Sequence, residues 1–374
     1  MTRKYLMIFW FFVLMVPMIQ SCLKIFKGGA LKGTTVLAAE PDFSFSTWFD
    51  ASFQEAEEKY LNDNFGFRSD MVRLHNQLYF SFFDKAYAND VVIGKNGYLY
   101  EKVYIDAYYG VNYAGDSILN ERIRKIAVIT DTLAKKKKAL IVVLAPGKAR
   151  YFPQYIPDRL RKPVGKSNYG KYARDLPRFG VPTFDCTKYF EALRDTSRYP
   201  LFARYGTHWS VYGGSLVQDS LVKIIARETR TPLPEVSKIL LEDTEPQGTD
   251  SDIGDVLNLI FKQRGDLFAY PFYTVDTVKV KPKLRLISIG DSFYWTIYSL
   301  RMGDLFAGQQ FWYYYNELWP EINRNDGSRK MVSDLDLRAE IANNDVFVLM
   351  CSEANMANVG FSFVDQAYDI FCGK

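Results

Sequence analysis

Arg3 and Lys4 are followed by an uncharged, mostly apolar run from Tyr5 to Leu23. A helix across the ~30 Å hydrocarbon core takes about 20 such residues, so residues 1–23 are expected to form a membrane-crossing signal anchor. Basic residues ahead of the span favour an inside N-terminus and a body on the outer side of the membrane. A cleaved signal peptide and a lipoprotein processed at Cys22 are the alternatives, and each also exports the body. Residues 24–40, with Gly28, Gly29 and Gly33, read as a tether, and residues 41–374 as the folded body.

Within the body the apolar spacing alternates between helical and extended. Phe53, Ala56, Tyr60 and Leu61, then Val72, Leu74, Leu78 and Phe82, recur at helical intervals, with a break at Gly66. Val91 to Tyr100 holds two short apolar runs around Lys95-Asn96-Gly97, which predicts a hairpin. Ile118 to Lys135 has helical spacing, and the unbroken apolar run Ala139 to Ala145 predicts a buried parallel strand. A helix over Tyr169 to Arg178, a strand over Val181 to Phe184 and a helix over Ser210 to Arg227, capped by Ser210, follow. Pro232 to Asp252 reads as polar and irregular, and Thr274 to Val280 as a strand. Further strands are expected over Leu284 to Ile289 and Asp345 to Cys351, with a helix over Phe293 to Met302 between them. Strands alternating with helices imply an α/β fold around a mostly parallel sheet, whose sites form beyond the carboxyl ends of the strands.

Hydrophobic residues at 48% and charged residues at 24% suit an ordinary folded chain. The net charge of +4 is too mild, and too evenly spread, for a nucleic-acid surface. Aromatic residues reach 16%, which points first to an aromatic-rich core. Some rings are also suited to lining a sugar groove, Phe311-Trp312-Tyr313-Tyr314-Tyr315 being one such run. Four scattered cysteines, of which Cys22 falls in the anchor, allow at most one intrachain bridge. Two distant histidines and those cysteines have no ligand spacing, so neither a metal nor another cofactor is expected.

Two segments carry candidate chemistry. Gly290-Asp291-Ser292 follows an apolar strand and begins a helix, a turn that exposes a hydroxyl beside free backbone N–H groups. A serine hydroxyl needs a base within hydrogen-bond reach. The chain offers two histidines. His75 lies within a helical pattern far upstream, whereas His208 lies in Arg204-Tyr-Gly-Thr-His-Trp-Ser210, a turn-like stretch able to aim a side chain at a cleft. Ser292 and His208 are therefore the nucleophile and base candidates. Lys148, in the loop after the Ala139 strand, together with Gly290, Tyr294 and Trp209, are candidates for the oxyanion or substrate; packing beneath the histidine loop suits Trp209 best.

These segments in this order resemble the SGNH-hydrolase-like polysaccharide O-acetyltransferases of the alginate O-acetyltransferase type. The resemblance runs through Asn64-Phe-Gly-Phe-Arg68, the Ile93 to Leu99 hairpin, Ala145-Pro-Gly-Lys148, Thr207-His-Trp-Ser-Val-Tyr-Gly213 and Gly290-Asp-Ser-Phe293. It implies an SGNH-like domain, an acetyl-serine at Ser292, a polysaccharide acceptor and a membrane-bound O-acyltransferase partner, with the body in the periplasm or outside. One position departs from the pattern. The family's acid stands two residues before the histidine, where this chain has Gly206. Three readings remain open: a Ser-His dyad, an acid from elsewhere with Asp185 and Asp255 as candidates, or a catalytically impaired polysaccharide-binding relative. An acetyl esterase is the further alternative.

Overall fold

The computed structural model describes residues 2–373 apart from 27, 34, 35, 263–265 and 325. The chain divides into two compact units. The first takes the residues up to Asn89 with Gly254–Gln263, and the second takes Asp90–Ile253 and the residues from Arg264 onward.

In the first unit the apolar run forms the helix Thr2–Leu23, of which Arg3–Leu23 is long and apolar enough to cross a membrane. Helices Ser52–Asn64 and Arg68–Phe83 follow, broken at Gly66 as expected. His75 is exposed on the second of these, its ring 4.6 Å from those of Tyr79 and Tyr87.

The second unit contains strands β1 (Val91–Ile93), β2 (Leu99–Glu101), β3 (Ala139–Ala145), β4 (Thr183–Asp185), β5 (Glu235–Asp243), β6 (Phe268–Asp276), β7 (Arg285–Gly290), β8 (Gly308–Tyr313), β9 (Glu317–Trp319) and β10 (Val346–Ser352). β1 and β2 form the expected hairpin, with Asn96 at φ 56° and Gly97 at φ 73° supplying the left-handed turn. Six strands make one sheet in the order β4-β3-β10-β7-β8-β9. All neighbours in it are parallel except β9, which returns antiparallel along β8.

Every residue of β3 and β10 is buried, because both faces of the sheet are covered. Ile141 and Val143 of β3 join the cluster under helices Cys186–Leu193, Val211–Thr229 and Tyr294–Ser299. Their neighbours Leu140, Val142 and Leu144 face the opposite cluster, under Asp116–Lys135 and Phe361–Cys372. Phe311 and Trp312 of β8 are wholly buried, so the front of that aromatic run serves the core.

One expectation fails. Residues 232–252 are not irregular throughout, since Glu235–Asp243 pairs along its whole length with Phe268–Asp276. This ribbon leaves Ile239 and Leu241 exposed, so no two-period burial pattern marks it in the sequence. The partner strand starts six residues upstream of the expected Thr274–Val280 and shares Thr274–Asp276 with it. Pro271 falls inside it, tolerated because a two-stranded ribbon has free edges on which a missing N–H is not needed.

Candidate active site

The site is built where β3, β7 and β10 end. Gly290 closes β7, and its carbonyl accepts from the Tyr314 N–H at 2.9 Å. Asp291, fully buried, then ties the end of β7 to the end of β10. Its Oδ2 accepts from the Ser352 N–H at 2.7 Å and from Asn355 Nδ2 at 2.9 Å, while Oδ1 accepts from the Phe293 N–H at 3.1 Å. With Asp291 fixed on both oxygens, the next residue is set at the mouth of the turn. Ser292 is half-buried, and the helix Tyr294–Ser299 starts directly after it.

His208 approaches from the opposite side. Ser210 caps the helix Val211–Thr229 by accepting from the Gly213 N–H at 2.9 Å, and Trp209 is sealed beneath, its ring 5.1 Å from that of Phe293. The imidazole rests 4.7 Å from the same phenyl ring. Its Nε2 stands 2.8 Å from Ser292 Oγ.

Its Nδ1 meets the carboxylate of Asp252. The other oxygen of Asp252 accepts from the N–H groups of Thr207 at 2.7 Å and Ile253 at 2.8 Å. A carboxylate on Nδ1 fixes the tautomer: Nδ1–H donates to Asp252, leaving the Nε2 lone pair for the serine hydroxyl. Burial opposes the imidazolium, but the Asp252 hydrogen bond and charge outweigh it, with Asp291 and Glu101 adding, so the His208 pKa rises above 6.5.

Neither Asp185 nor Asp255 takes this place. Asp185 caps the helix Cys186–Leu193 through the Lys188 N–H at 3.2 Å and accepts from the Tyr169 hydroxyl at 3.1 Å. Asp255 lies further along the short helix Asp252–Val256, and it is the first residue of that helix that reaches the ring. Gly206 explains why the acid arrives from there. A Cβ at Gly206 would lie 2.3 Å from the Thr249 carbonyl oxygen and 3.2 Å from the Asp250 carbonyl carbon. The space a side chain at 206 needs is filled by the backbone of the segment that delivers Asp252. That segment is clipped down by Asp250, whose Oδ1 accepts from the Val211 N–H at 3.1 Å.

The remaining candidates are buried. Lys148 is 1% exposed, and its Nζ donates to the carbonyls of Arg204 at 2.7 Å and Gly206 at 2.8 Å. Burial drives its pKa down to about 7. It therefore braces the backbone of the histidine loop and does not face a substrate. Replacing it with Met would leave both buried carbonyls short of a donor, a loss of about 1–3 kcal/mol read as a lowered Tm. Tyr294 is also sealed, its hydroxyl accepting from Ser288 Oγ at 2.6 Å. Gly290 is engaged in the sheet through its register with Met350 and Tyr313.

Asp252 and Asn355 were missed by sequence reasoning, and Tyr314 was read only as part of the aromatic run Phe311 to Tyr315. Asp252 sits 44 positions beyond His208 with no local motif to mark it. Tyr314 interacts with Ser292, and its hydroxyl lies 3.4 Å from Asn355 Nδ2. Tyr314 and Tyr315 are held at φ 51° and 56°, a left-handed pair of bulky residues that a sequence does not announce.

Comparison with known proteins adds a family to this geometry. The family described as "SGNH hydrolase-like domain, acetyltransferase AlgX" matches residues 91–291, a span that includes His208 and Asp252 and stops one residue before Ser292. The "Probable alginate O-acetylase AlgJ" of Azotobacter vinelandii is 23% identical over 205 residues, 55% of this chain and 50% of the relative. The protein of the same name from Pseudomonas syringae pv. tomato is 24% identical over 199 residues, 52% of this chain and 49% of the relative. The chain thus spans about half the length of these curated relatives. Among solved structures, the "O-Acetyltransferase Domain of Pseudomonas putida AlgJ" superposes with a TM-score of 0.51 at 14% identity, over 75% of this chain and 99% of that one, a likeness of fold.

Proposed function

The chain belongs to the AlgX-type SGNH hydrolase-like acetyltransferase family, and from that premise we propose that it moves acetyl groups onto hydroxyls of an exopolysaccharide or cell-surface glycan. The observation carrying this reading is the continuous hydrogen-bonded line from Asp252 through His208 to Ser292.

In the first half-reaction His208 Nε2 takes the proton from Ser292 Oγ as the oxygen attacks the acetyl carbonyl carbon of the donor. The resulting imidazolium is stabilised by Asp252. It returns the proton to the leaving group as the bond to the donor breaks, leaving acetyl-Ser292. In the second half a sugar hydroxyl gives its proton to Nε2 and attacks the acetyl carbon. The ester bond to Ser292 Oγ breaks, and the serine regains the proton. Gly206 left open a relative that only binds polysaccharide, and a carboxylate from Asp252 on the His208 ring supports the reading with an acid from elsewhere instead.

The N-terminal apolar helix supports placing the body outside the cytoplasmic membrane, and the family resemblance implies a membrane-bound O-acyltransferase as the acetyl source. Incubation with a chromogenic acetyl ester is expected to leave one acetyl group on the tryptic peptide containing Ser292, and an added oligosaccharide is expected to discharge it faster than water does. An enzyme that stays unacetylated, or one discharged by water alone, overturns the transferase.

A further inference from the structure

The first unit holds an apolar face that its own fold leaves uncovered. In helix Arg68–Phe83, Met71, Leu74, Leu78 and Phe82 recur at helical spacing and stand 44%, 51%, 45% and 74% exposed. The opposite side of the same helix is turned inward, where Asn76 is buried and donates to the Leu257 carbonyl at 2.8 Å. An aliphatic and aromatic stripe of this length in open water is costly, at about 25 cal/mol per Å² of apolar surface.

Where the helix starts decides what covers it. The turn before it, Phe65-Gly66-Phe67, is packed on the last turns of the N-terminal apolar helix. The Gly66 N–H donates to Ser21 Oγ at 2.6 Å, and Ser21 Oγ donates to the Pro17 carbonyl at 2.9 Å. A Cβ at Gly66 would lie 2.3 Å from the Pro17 oxygen, so only glycine permits this approach. Gln20 is buried at the same junction and bonded to the backbone of Phe26, and the Phe26 and Phe67 rings lie 5.9 Å apart.

The 21 residues Arg3–Leu23, at about 1.5 Å each, match the ~30 Å hydrocarbon thickness. Leu23 then marks the outer edge of the hydrocarbon and Pro17 to Ser21 fall within about 9 Å of it, so the turn packed on them is held at the boundary between acyl chains and headgroups, the depth of an interfacial helix. Helix Arg68–Phe83 begins at that depth with its apolar stripe free. We propose that this stripe lies on the outer surface of the lipid bilayer, as an interfacial helix bolted to the anchor through Gly66. The proposal rests on the apolar helix being a retained anchor. The contacts of Pro17, Gln20 and Ser21 with the folded unit favour retention, since cleavage before Cys22 would strip them away.

The test uses the full chain reconstituted in lipid nanodiscs, with Cys22→Ser and Cys372→Ser removing the exposed thiols. Nitroxides are attached to Leu78→Cys or Phe82→Cys, and to Lys136→Cys in the other unit as the reference. Intact mass of the chain with Cys22 unchanged shows whether residues 1–23 are retained, and acetyl-enzyme formation from the chromogenic ester reports separately on the active site. Labels at 78 and 82 are expected to collide more often with oxygen, which concentrates in hydrocarbon, than with a water-soluble nickel chelate, with the reverse at 136. Nickel accessibility at 78 and 82 in the retained chain overturns the proposal. So does shielding from both reagents, which assigns the face to a protein partner or a second copy. Loss of residues 1–23 overturns the anchor on which the proposal stands, while leaving the acetyl chemistry untouched.

Discussion

Replacing Asp252 with Asn is expected to lower the acetylation rate of Ser292 by about 10⁴-fold, the scale on which a buried triad acid acts, with little change in KM. The geometry makes this a clean test. The asparagine Oδ1 keeps the Thr207 and Ile253 N–H groups that Asp252 Oδ1 now accepts, so the loop stays in place. Its Nδ2 then faces the imidazole with hydrogens instead of a lone pair. Nδ1 must become the acceptor, and the ring proton moves to Nε2, pointing at the hydroxyl it should deprotonate.

The pH profile carries a second signature. In the proposed mechanism the base works as neutral imidazole, so the native rate is expected to rise with pH through the His208 pKa, which stands above 6.5 because Asp252 favours the imidazolium against the opposing effect of burial. Without the carboxylate that pKa falls, and the acid limb of the residual activity shifts to lower pH. A stopped-flow pH series on both proteins reads both effects. A loss under tenfold, or an unmoved acid limb, would mean that the imidazole is oriented by something other than Asp252.

Why the sheet was readable and the acid was not follows from the range of the interactions. β3 and β10 are buried on both faces, so their seven-residue apolar runs stand out in the sequence with correct bounds to within a residue. Ser292 and His208 were legible because each is fixed by its own neighbours: a strand-to-helix turn in one case, a cap at Ser210 in the other. Asp252 has no such local cause. It is placed by a close backbone approach between Gly206 and Thr249, a contact no period or propensity encodes. Lys148 and Tyr294 misled for the converse reason. Both adjoin the right loops, but burial turns their polar ends to the Arg204 and Gly206 carbonyls and to Ser288. The β5–β6 ribbon was missed because its pairing joins residues some thirty positions apart and leaves apolar side chains exposed.

Putting an acid back at position 206 is expected to destroy activity instead of restoring the family's arrangement. In Gly206→Ala the new methyl would sit 2.3 Å from the Thr249 carbonyl oxygen, well inside contact distance, with the Asp250 backbone carbon 3.2 Å away. Either the 249–252 segment moves out or the histidine loop does, and both motions separate Asp252 from the ring. The expected loss is at least a hundredfold in acetylation rate, with about 1–3 kcal/mol of stability, the usual cost of forcing atoms into a packed interior.

Gly206→Asp should be worse, since its carboxylate must also leave water beside Asp250, whose own pKa burial already lifts to about 7. The decisive measurement is the double variant Gly206→Asp/Asp252→Asn, assayed by single-turnover acetylation and by Tm. If Gly206 is only a lost acid, the double variant should regain activity towards the wild-type level. If glycine is what lets the second segment bring its own acid to His208, the double variant stays at or below the rate of Asp252→Asn and melts lower. The contact between Gly206 and Thr249 requires the second result, because the position the aspartate must occupy is already filled by main chain.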